Sequence, residues 1–426
     1  MMTLRGCVLR AACAIAPLGA ACARSPREIP RDVPSPPAAA STTTVTTTTV
    51  TSTSAVPAPP AAALRRLADT VRRVLDAAVA DSAFPGAFAV IGNAGGVLFE
   101  YGAGRIDWKA DAPRPDERTL WDLASLTKVT ATTSAIMQLV EQGRISLDDP
   151  VTKYLPEWSG GPNRDRVTLR HLITHSSGLP PFKAFPMDID ADSTRKLFLA
   201  VPLDSLPGQH MTYSDIGFVF LGFIVEKVSG ETLDQYVVNH VYRPLGMNET
   251  FFRPDPSLMA RIAPTETQAF RGGQVRGIVH DERAWRMNGV AGHAGLFSTG
   301  HDLARFARMY LNKGQLDGVR VFAESTVTRF TGYVDSTYSN RGLGWQKPEL
   351  PGMRFTGPSS AWAGHVATPS AFGHTGFTGT SYYIDPARNL FVILLSNRVN
   401  PTRENNKITA VRRQLSDAVV AALTMQ

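Results

Sequence analysis

The sequence predicts a mixed α/β fold of the α+β kind. One antiparallel sheet is built from both chain ends and flanked by helices, with a mainly helical region inserted between them. Three observations predict it. A helical apolar pattern followed by a hairpin signal opens the folded part. Strands and a final helix close it. The stretch between carries mostly helical periodicity, broken by Pro and Gly. A hydrophobic fraction of 43% and a charged fraction of 19% over 426 residues are globular proportions, sufficient for a large core.

The chain begins with a targeting pattern. Arg5 and Arg10 flank an apolar, Ala-rich run ending in Leu18-Gly19-Ala20-Ala21-Cys22, so residues 1–22 read as an export signal. The small residues before Cys22 make that cysteine a candidate lipidation site of a bacterial lipoprotein, although the leucine sits one place early. The expected location is the periplasm or the outside of a membrane. Cys7, Cys13 and Cys22 are all the cysteines, which leaves no thiol in the folded part for disulfides, thiolate metal sites or cysteine catalysis. Residues 23–63 form a Pro/Thr-rich linker too poor in apolar residues to fold. The folded domain is expected over 64–426, with a sheet region at about 64–124 and 300–424 and a helical region at about 125–299.

Leu64, Leu67, Val71, Val74, Leu75 and Ala78 predict an amphipathic helix, stopped by Pro85-Gly86. Ala87–Ile91 and Val97–Tyr101 around Asn93-Ala94-Gly95-Gly96 predict a hairpin. At the far end come strands Ser381–Ile384 and Leu390–Ser396, turned at Asp385-Pro386. A last helix runs through Ile408, Val411, Leu415, Val419 and Leu423. Nothing after the signal approaches the ~18 apolar residues of a membrane span. The formal charge of +7 is thinly spread and no run of five Lys or Arg occurs, which argues against a nucleic-acid partner.

The chemistry concentrates in Leu120–Val140, read as a turn and a buried helix. Ser125 and Lys128 are three residues apart on one helical face, where Cβ atoms lie roughly 5–6 Å apart. Burial is expected to lower the lysine pKa, so that a neutral amine takes the serine proton. A second S-x-x-K match, Ser193–Lys196, comes after Asp188, Asp190 and Asp192 and reads as a solvated helix face. Two further stretches supply candidate partners. In Tyr213-Ser214-Asp215, Asp215 is expected to cap the helix of Phe218, Leu221, Val225 and Val228. Around His374-Thr375-Gly376-Phe377, the glycines allow close backbone approach at a strand edge.

In this order, Ser125-Leu126-Thr127-Lys128, Tyr213-Ser214-Asp215 and His374-Thr375-Gly376 resemble the motifs of the serine β-lactamase and penicillin-binding-protein-like hydrolases. The nearest branch is that of class C β-lactamases, DD-peptidases and related esterases, with S-x-x-K, Y-x-N and K-T-G or H-T-G. Leu172–Pro180 and Pro244–Met247 also look like family stretches, and the resemblance covers roughly residues 64–424. It implies a β-lactamase/transpeptidase-like fold without metal or organic cofactor. By resemblance Ser125 is the nucleophile, Lys128 its base and Tyr213 the proton relay. The backbone N–H groups of Ser125 and Phe377 would form the oxyanion hole, and Asp215, His374, Thr375 and Gly376 would meet the substrate; His293, set among glycines, is a further candidate for substrate contact, against a buried structural imidazole.

Two departures matter. Asp215 stands where the family has Asn, which exchanges an amide donor for a carboxylate and could hold Lys128 charged. His374 stands where many members have Lys, so the site is expected to lack a fixed cation for a substrate carboxylate. Tyr338-Ser339-Asn340 matches Y-x-N more closely but sits too near His374 and is read as a decoy. His171 and His175 have the i,i+4 spacing of a zinc pair, yet Leu172 replaces the glutamate of a metalloprotease helix, so structural hydrogen bonding is expected. Glycines around His293 imply close backbone approach.

That loop, His280-Asp281 and the stretch Asn397–Asn405 resemble a branch that includes exported hydrolases of cell-wall muropeptides. The expected function is an exported serine hydrolase acting through an acyl-enzyme on a muropeptide amide, as an amidase or carboxypeptidase. The alternatives are an esterase or weak β-lactamase with the same site, or a β-lactam- or wall-binding module without turnover.

Overall fold

The computed structural model describes residues 59–424 except 187, 336–338 and 354–360. The stretch read as an export signal, with Cys22, the stretch read as a linker up to residue 58, and Tyr338 lie outside the described residues. Five helices frame the sheet and the site: α1 (Ala61–Ala80), α2 (Thr133–Glu141), α3 (Asp215–Ser229), α4 (Gly300–Leu311) and α5 (Ile408–Thr424). Helix α1 starts directly after Pro59-Pro60, three residues inside the stretch read as linker, because Ala61–Ala63 continue the helix and Ala63 is buried.

The main sheet has five strands: β1 (Gly86–Asn93), β2 (Gly96–Gly104), β3 (Phe372–Thr375), β4 (Ser381–Asp385) and β5 (Leu390–Ser396). Their order is β3-β4-β5-β1-β2, antiparallel throughout. The two chain ends therefore meet inside the sheet, where β1 pairs with β5 in the register Ala87↔Ser396 to Gly92↔Phe391. The β1–β2 turn is closed by Asn93, whose Oδ1 accepts from Gly95 N at 2.9 Å and Gly96 N at 3.2 Å.

Every residue of β1 and β5 is buried, because both faces of the sheet are covered. Alternation decides which side chain meets which layer. Ala87, Ala89 and Ile91 join Leu67, Val71 and Leu75 of α1 and Leu415 and Val419 of α5 in one cluster. Phe88 and Val90 face the other way, into the large core shared with Phe306 of α4 and the helical region.

The inserted region is mainly helical, with additions the periodicity does not reveal. Phe251–Phe252 joins Leu296–Ser298 and Trp121–Asp122 in a small three-stranded sheet, and Thr267–Gln268 pairs with Gly273–Gln274. Helix α3 runs through the core and is buried from Ile216 to Val225, which explains its weak amphipathicity. Among the described residues no helix is long and apolar enough to cross a membrane.

Candidate active site

Ser125 is set by the strand before it. Asp122, at the end of Trp121–Asp122, accepts from Ala124 N at 2.8 Å and from His280 N at 2.6 Å. Ala124 is thereby held at φ +46°, a left-handed conformation that costs a non-glycine residue about 1–3 kcal/mol. The chain then tightens through Lys128 N→Ser125 O at 3.1 Å and widens into a π turn over Lys128–Thr132 before α2 begins. Such π turns are frequent at functional sites.

Lys128 is wholly buried, and its ammonium spends its three donors on Ser125 Oγ at 3.0 Å, Asp215 Oδ1 at 2.8 Å and the carbonyl of His293 at 3.1 Å. The expectation of a lowered lysine pKa is overturned. Burial does push it down, but the Asp215 carboxylate and the Tyr213 phenol outweigh burial, and the net direction is up. Asp215 in turn is pulled below the usual carboxylate range: burial opposes this, while Lys128, His293 and Arg283 favour the charged form. The resting state is an ammonium–carboxylate pair.

Asp215 is free for this because it does not cap α3. The cap is Ser214, whose hydroxyl accepts from Gly217 N at 3.3 Å and donates to the carbonyl of Pro180 at 2.7 Å, correcting the expectation. Asp215 Oδ2 accepts from Arg283 at 3.1 Å. Arg283 also donates to Asp281 at 3.0 Å, and Asp281 lies 2.9 Å from His293 Nε2. Lys128, Asp215, Arg283, Asp281 and His293 thus form one connected network, closed by the His293 carbonyl on Lys128. Asp215, Asp281 and His293 hold ligand-type atoms within 4.8 Å of one another, but Lys128 and Arg283 already neutralise both carboxylates, so the cluster is satisfied without an ion.

Tyr213 faces the same ammonium, whose nitrogen lies 5.0 Å from the ring centroid. Its ring packs at 4.5 Å from that of His175 and 6.0 Å from that of His374. His175 Nδ1 accepts from Ser214 N at 3.0 Å, and His171 closes a capping box with Thr168, so both have the structural roles expected of them. His374 is buried, with Nδ1 at 2.9 Å from the carbonyl of Thr375. Burial and the nearby cations Arg341 and Lys128 hold its pKa well below the ordinary histidine value. It adds no positive charge. The His293 imidazole is turned to Asp281, and Gly292 presses against the carbonyl of Phe218 on α3 where no Cβ would fit. Ser193 and Lys196 lie on a helix that Asp190 caps, with Lys196 exposed, as read.

The loop after β3 is clamped from two sides. Thr378 and Thr380 donate their hydroxyls to the carbonyls of Asp122 (2.7 Å) and Leu123 (3.0 Å), which ties the loop to the Ser125 turn. Arg412 of α5 donates to the carbonyls of Gly376 (2.6 Å) and Thr380 (2.8 Å), and Arg398 to that of Phe377 (2.7 Å). With the carbonyls drawn backward, the N–H groups of Ser125 and Phe377 make no hydrogen bond to protein among the described residues. Gly376 is required by close approach, since a Cβ there would strike Thr380 Oγ1 and the carbonyl of Leu123.

Ser125 opens on two spaces. One is a cleft of about 640 Å³ with Phe182, Phe270, Phe377, Arg283 and Arg286 in its walls. The other is a cavity of about 250 Å³ shared with Tyr213, Arg341, His374, Thr375 and Arg412. The expected lack of a fixed cation is thereby overturned, because Arg341 and Arg412 supply guanidinium groups from elsewhere in the chain. Sequence reasoning missed both, and also Arg283. The one available signal for Arg283 was its place two residues after Asp281. Arg341 sits beside the decoy motif, directly before Gly342-Leu343-Gly344-Trp345.

The Beta-lactamase family model matches residues 71–416. A Salmonella agona protein named “Putative D-alanyl-D-alanine carboxypeptidase” is 34% identical over 322 residues, 68% of this chain and 72% of that one; a Salmonella schwarzengrund protein of the same name is 34% identical over 327 residues, 69% and 73%. Two solved structures share the fold, each at 21% identity and a TM-score of 0.66. They are EstCE1, a hydrolase with promiscuous acyltransferase activity (84% of this chain, 99% of that one), and a penicillin-binding-protein homolog from Caulobacter crescentus (86% and 99%). The chain belongs to the beta-lactamase family and is a serine hydrolase of that family.

Proposed function

We propose that the protein cleaves an amide in a cell-wall muropeptide through an acyl-enzyme on Ser125, as a carboxypeptidase or amidase exported from the cytoplasm. One observation carries this reading: Ser125 Oγ lies 3.0 Å from the buried Lys128 ammonium and faces open space, beside two backbone N–H groups without a protein acceptor. Ser125 Oγ attacks the carbonyl carbon. Its proton passes to the Tyr213 oxygen as Tyr213 gives its own proton to the leaving nitrogen. Lys128, charged at rest, stabilises the developing serine oxyanion and does not act as the first base. The Ser125 and Phe377 N–H groups receive the carbonyl oxygen, a contribution of about 3–4 kcal/mol per donor in comparable sites. Water then releases the acyl group by the reverse relay. The carboxypeptidase name of the relatives and the signal-like residues 1–22 support a cell-wall substrate and export, and Cys22 is the proposed lipid attachment point.

A second reading, an esterase, is favoured by the apolar wall of the cleft, where Phe182 and Phe270 are 63% and 54% exposed. Labelling with a fluorophosphonate followed by mass spectrometry tests the nucleophile, with the adduct expected on Ser125. Values of kcat/KM for a muropeptide, a p-nitrophenyl ester and a cephalosporin then rank the substrates. A stable adduct without product beyond one equivalent would replace hydrolysis with a binding role.

A further inference from the structure

Three carboxylates line the larger cleft at Ser125, and each already has a cation of its own. Asp215 is paired with Lys128 and Arg283, Asp281 with Arg283, and Glu282 with Arg403. The cations are not matched in return. Arg286, the last residue of the short helix Glu282–Arg286, makes no hydrogen bond or ion pair among the described residues. Its guanidinium carbon lies 4.4 Å from the centroid of the Trp285 ring. Its Nε is buried there, whereas Nη1 and Nη2 stay open to the cleft. Stacking on the indole thus holds the plane of the fork without consuming its outer donors. Arg271 also packs on Trp285 at 4.4 Å, but its Nη1 and Nη2 donate to the carbonyls of His280 (3.1 Å) and Val279 (2.8 Å). Lys183, the other cation of the cleft without a partner, is exposed on a flexible stem and is not held in this way. A fixed planar donor pair facing open space is the pattern that a carboxylate satisfies in bidentate fashion.

The walls around Arg286 say where such a carboxylate would sit. Phe377 stands at the nucleophile end of the cleft, and Phe270, with its ring 6.4 Å from that of Trp285, at the Arg286 end; both rings are exposed. On its other side Arg286 borders a groove of about 480 Å³, where the sign of the wall reverses. Asp190 and Asp192 stand there, neither within ion-pair distance of Arg286 among the described residues. An anion is therefore received on the cleft side and turned away beyond it. Size assigns the substrate's larger part to this space, since the cleft measures about 640 Å³ and the cavity across Ser125 about 250 Å³. Building on the serine-hydrolase reading, we infer that Arg286 is a specificity-determining residue that binds a carboxylate carried by the acyl portion of the substrate. An acidic peptide and the monoester of a diacid share this chemistry.

The test uses p-nitrophenyl monoesters of adipic, suberic and sebacic acid, each compared with the same ester whose far carboxyl is methylated. In the intact protein at least one chain length is expected to favour the free carboxylate by about 10-fold in kcat/KM, the scale of a partly exposed charge-assisted hydrogen bond. Arg286→Gln removes that preference, mainly through KM, and Arg286→Lys restores part of it. Equal rates for acid and methyl ester at every length in the intact protein overturn the inference. So does a preference that survives Arg286→Gln, or one that is lost in Lys183→Gln instead. If Arg286→Gln does not fold, a third ester ending in trimethylammonium decides on the intact protein. The order carboxylate, methyl ester, trimethylammonium from fastest to slowest supports the inference, and any other order overturns it. A chain that a fluorophosphonate does not label at Ser125 overturns the hydrolase reading itself, whereas a labelled chain indifferent to the far carboxylate overturns only the role of Arg286.

Discussion

Arg283 reaches Asp215 at 3.1 Å across 68 positions of sequence and satisfies the carboxylate oxygen that Lys128 leaves open. Without it, Lys128 and His293 alone would offset the neighbouring carboxylates of Asp215 and Asp281. Arg283→Met is expected to lower kcat/KM about 10- to 100-fold while Ser125 labelling persists, because the half-buried Asp215 carboxylate loses one of its two cationic partners. Steady-state kinetics alongside phosphonate labelling check this.

The Lys128–Asp215 pair sets a pH dependence whose sign is fixed by the two shifts. The folded lysine pKa is raised, so its stabilising effect is present below the ordinary value of 10.5 and is lost as pH rises through the folded value. The folded Asp215 pKa is lowered, so its effect is present above the ordinary 3.8 and is lost as pH falls through the folded value. In Asp215→Asn, burial of Lys128 is no longer offset and the lysine pKa falls. The alkaline loss of kcat/KM is expected at lower pH than in the unaltered protein. A gain of activity near neutrality would instead make neutral Lys128 the base.

Ser125→Ala is expected to abolish turnover with Tm unchanged within a few degrees. Tyr213→Phe should slow turnover by about 100-fold or more, within the range of general acid–base catalysis. Tyr338→Phe should leave it nearly unaltered, and the reverse ranking would mean that the proton relay belongs to Tyr338.

Thr380→Val removes the hydroxyl that ties the loop to the carbonyl of Leu123 and keeps the side-chain shape. The expected loss of stability is about 1 kcal/mol, the worth of one hydrogen bond. The expected loss in kcat is about 10-fold with KM little changed, because the Phe377 N–H drifts from the place of the oxyanion. Chemical denaturation and initial rates separate the two effects.

Leu67 on α1 is fully buried against the sheet face that α5 also covers. Leu67→Ala is expected to destabilise the domain by about 2–5 kcal/mol, the cost of an internal cavity. A loss under about 0.5 kcal/mol by denaturant titration, the scale of a surface substitution, would mean that α1 is not part of the cooperative domain.

By itself the sequence determined the sheet-forming termini, the helices at both ends and the Ser125–Lys128 pair. Each of these is written in a local period or spacing: alternation around Asn93-Ala94-Gly95-Gly96, three- and four-residue steps in α1 and α5, and i,i+3 in the S-x-x-K turn. Only the tertiary structure decided the charge of that lysine. Residue 215 brings its carboxylate onto the amine and Tyr213 adds to it, and their sum outweighs the burial from which a lowered pKa is inferred. It likewise decided that Ser214 and not Asp215 caps α3, and that Arg283, Arg341 and Arg412 gather around a serine far from them in sequence. Long-range electrostatics depends on distances between segments with no shared periodicity, so composition and spacing carry no trace of it.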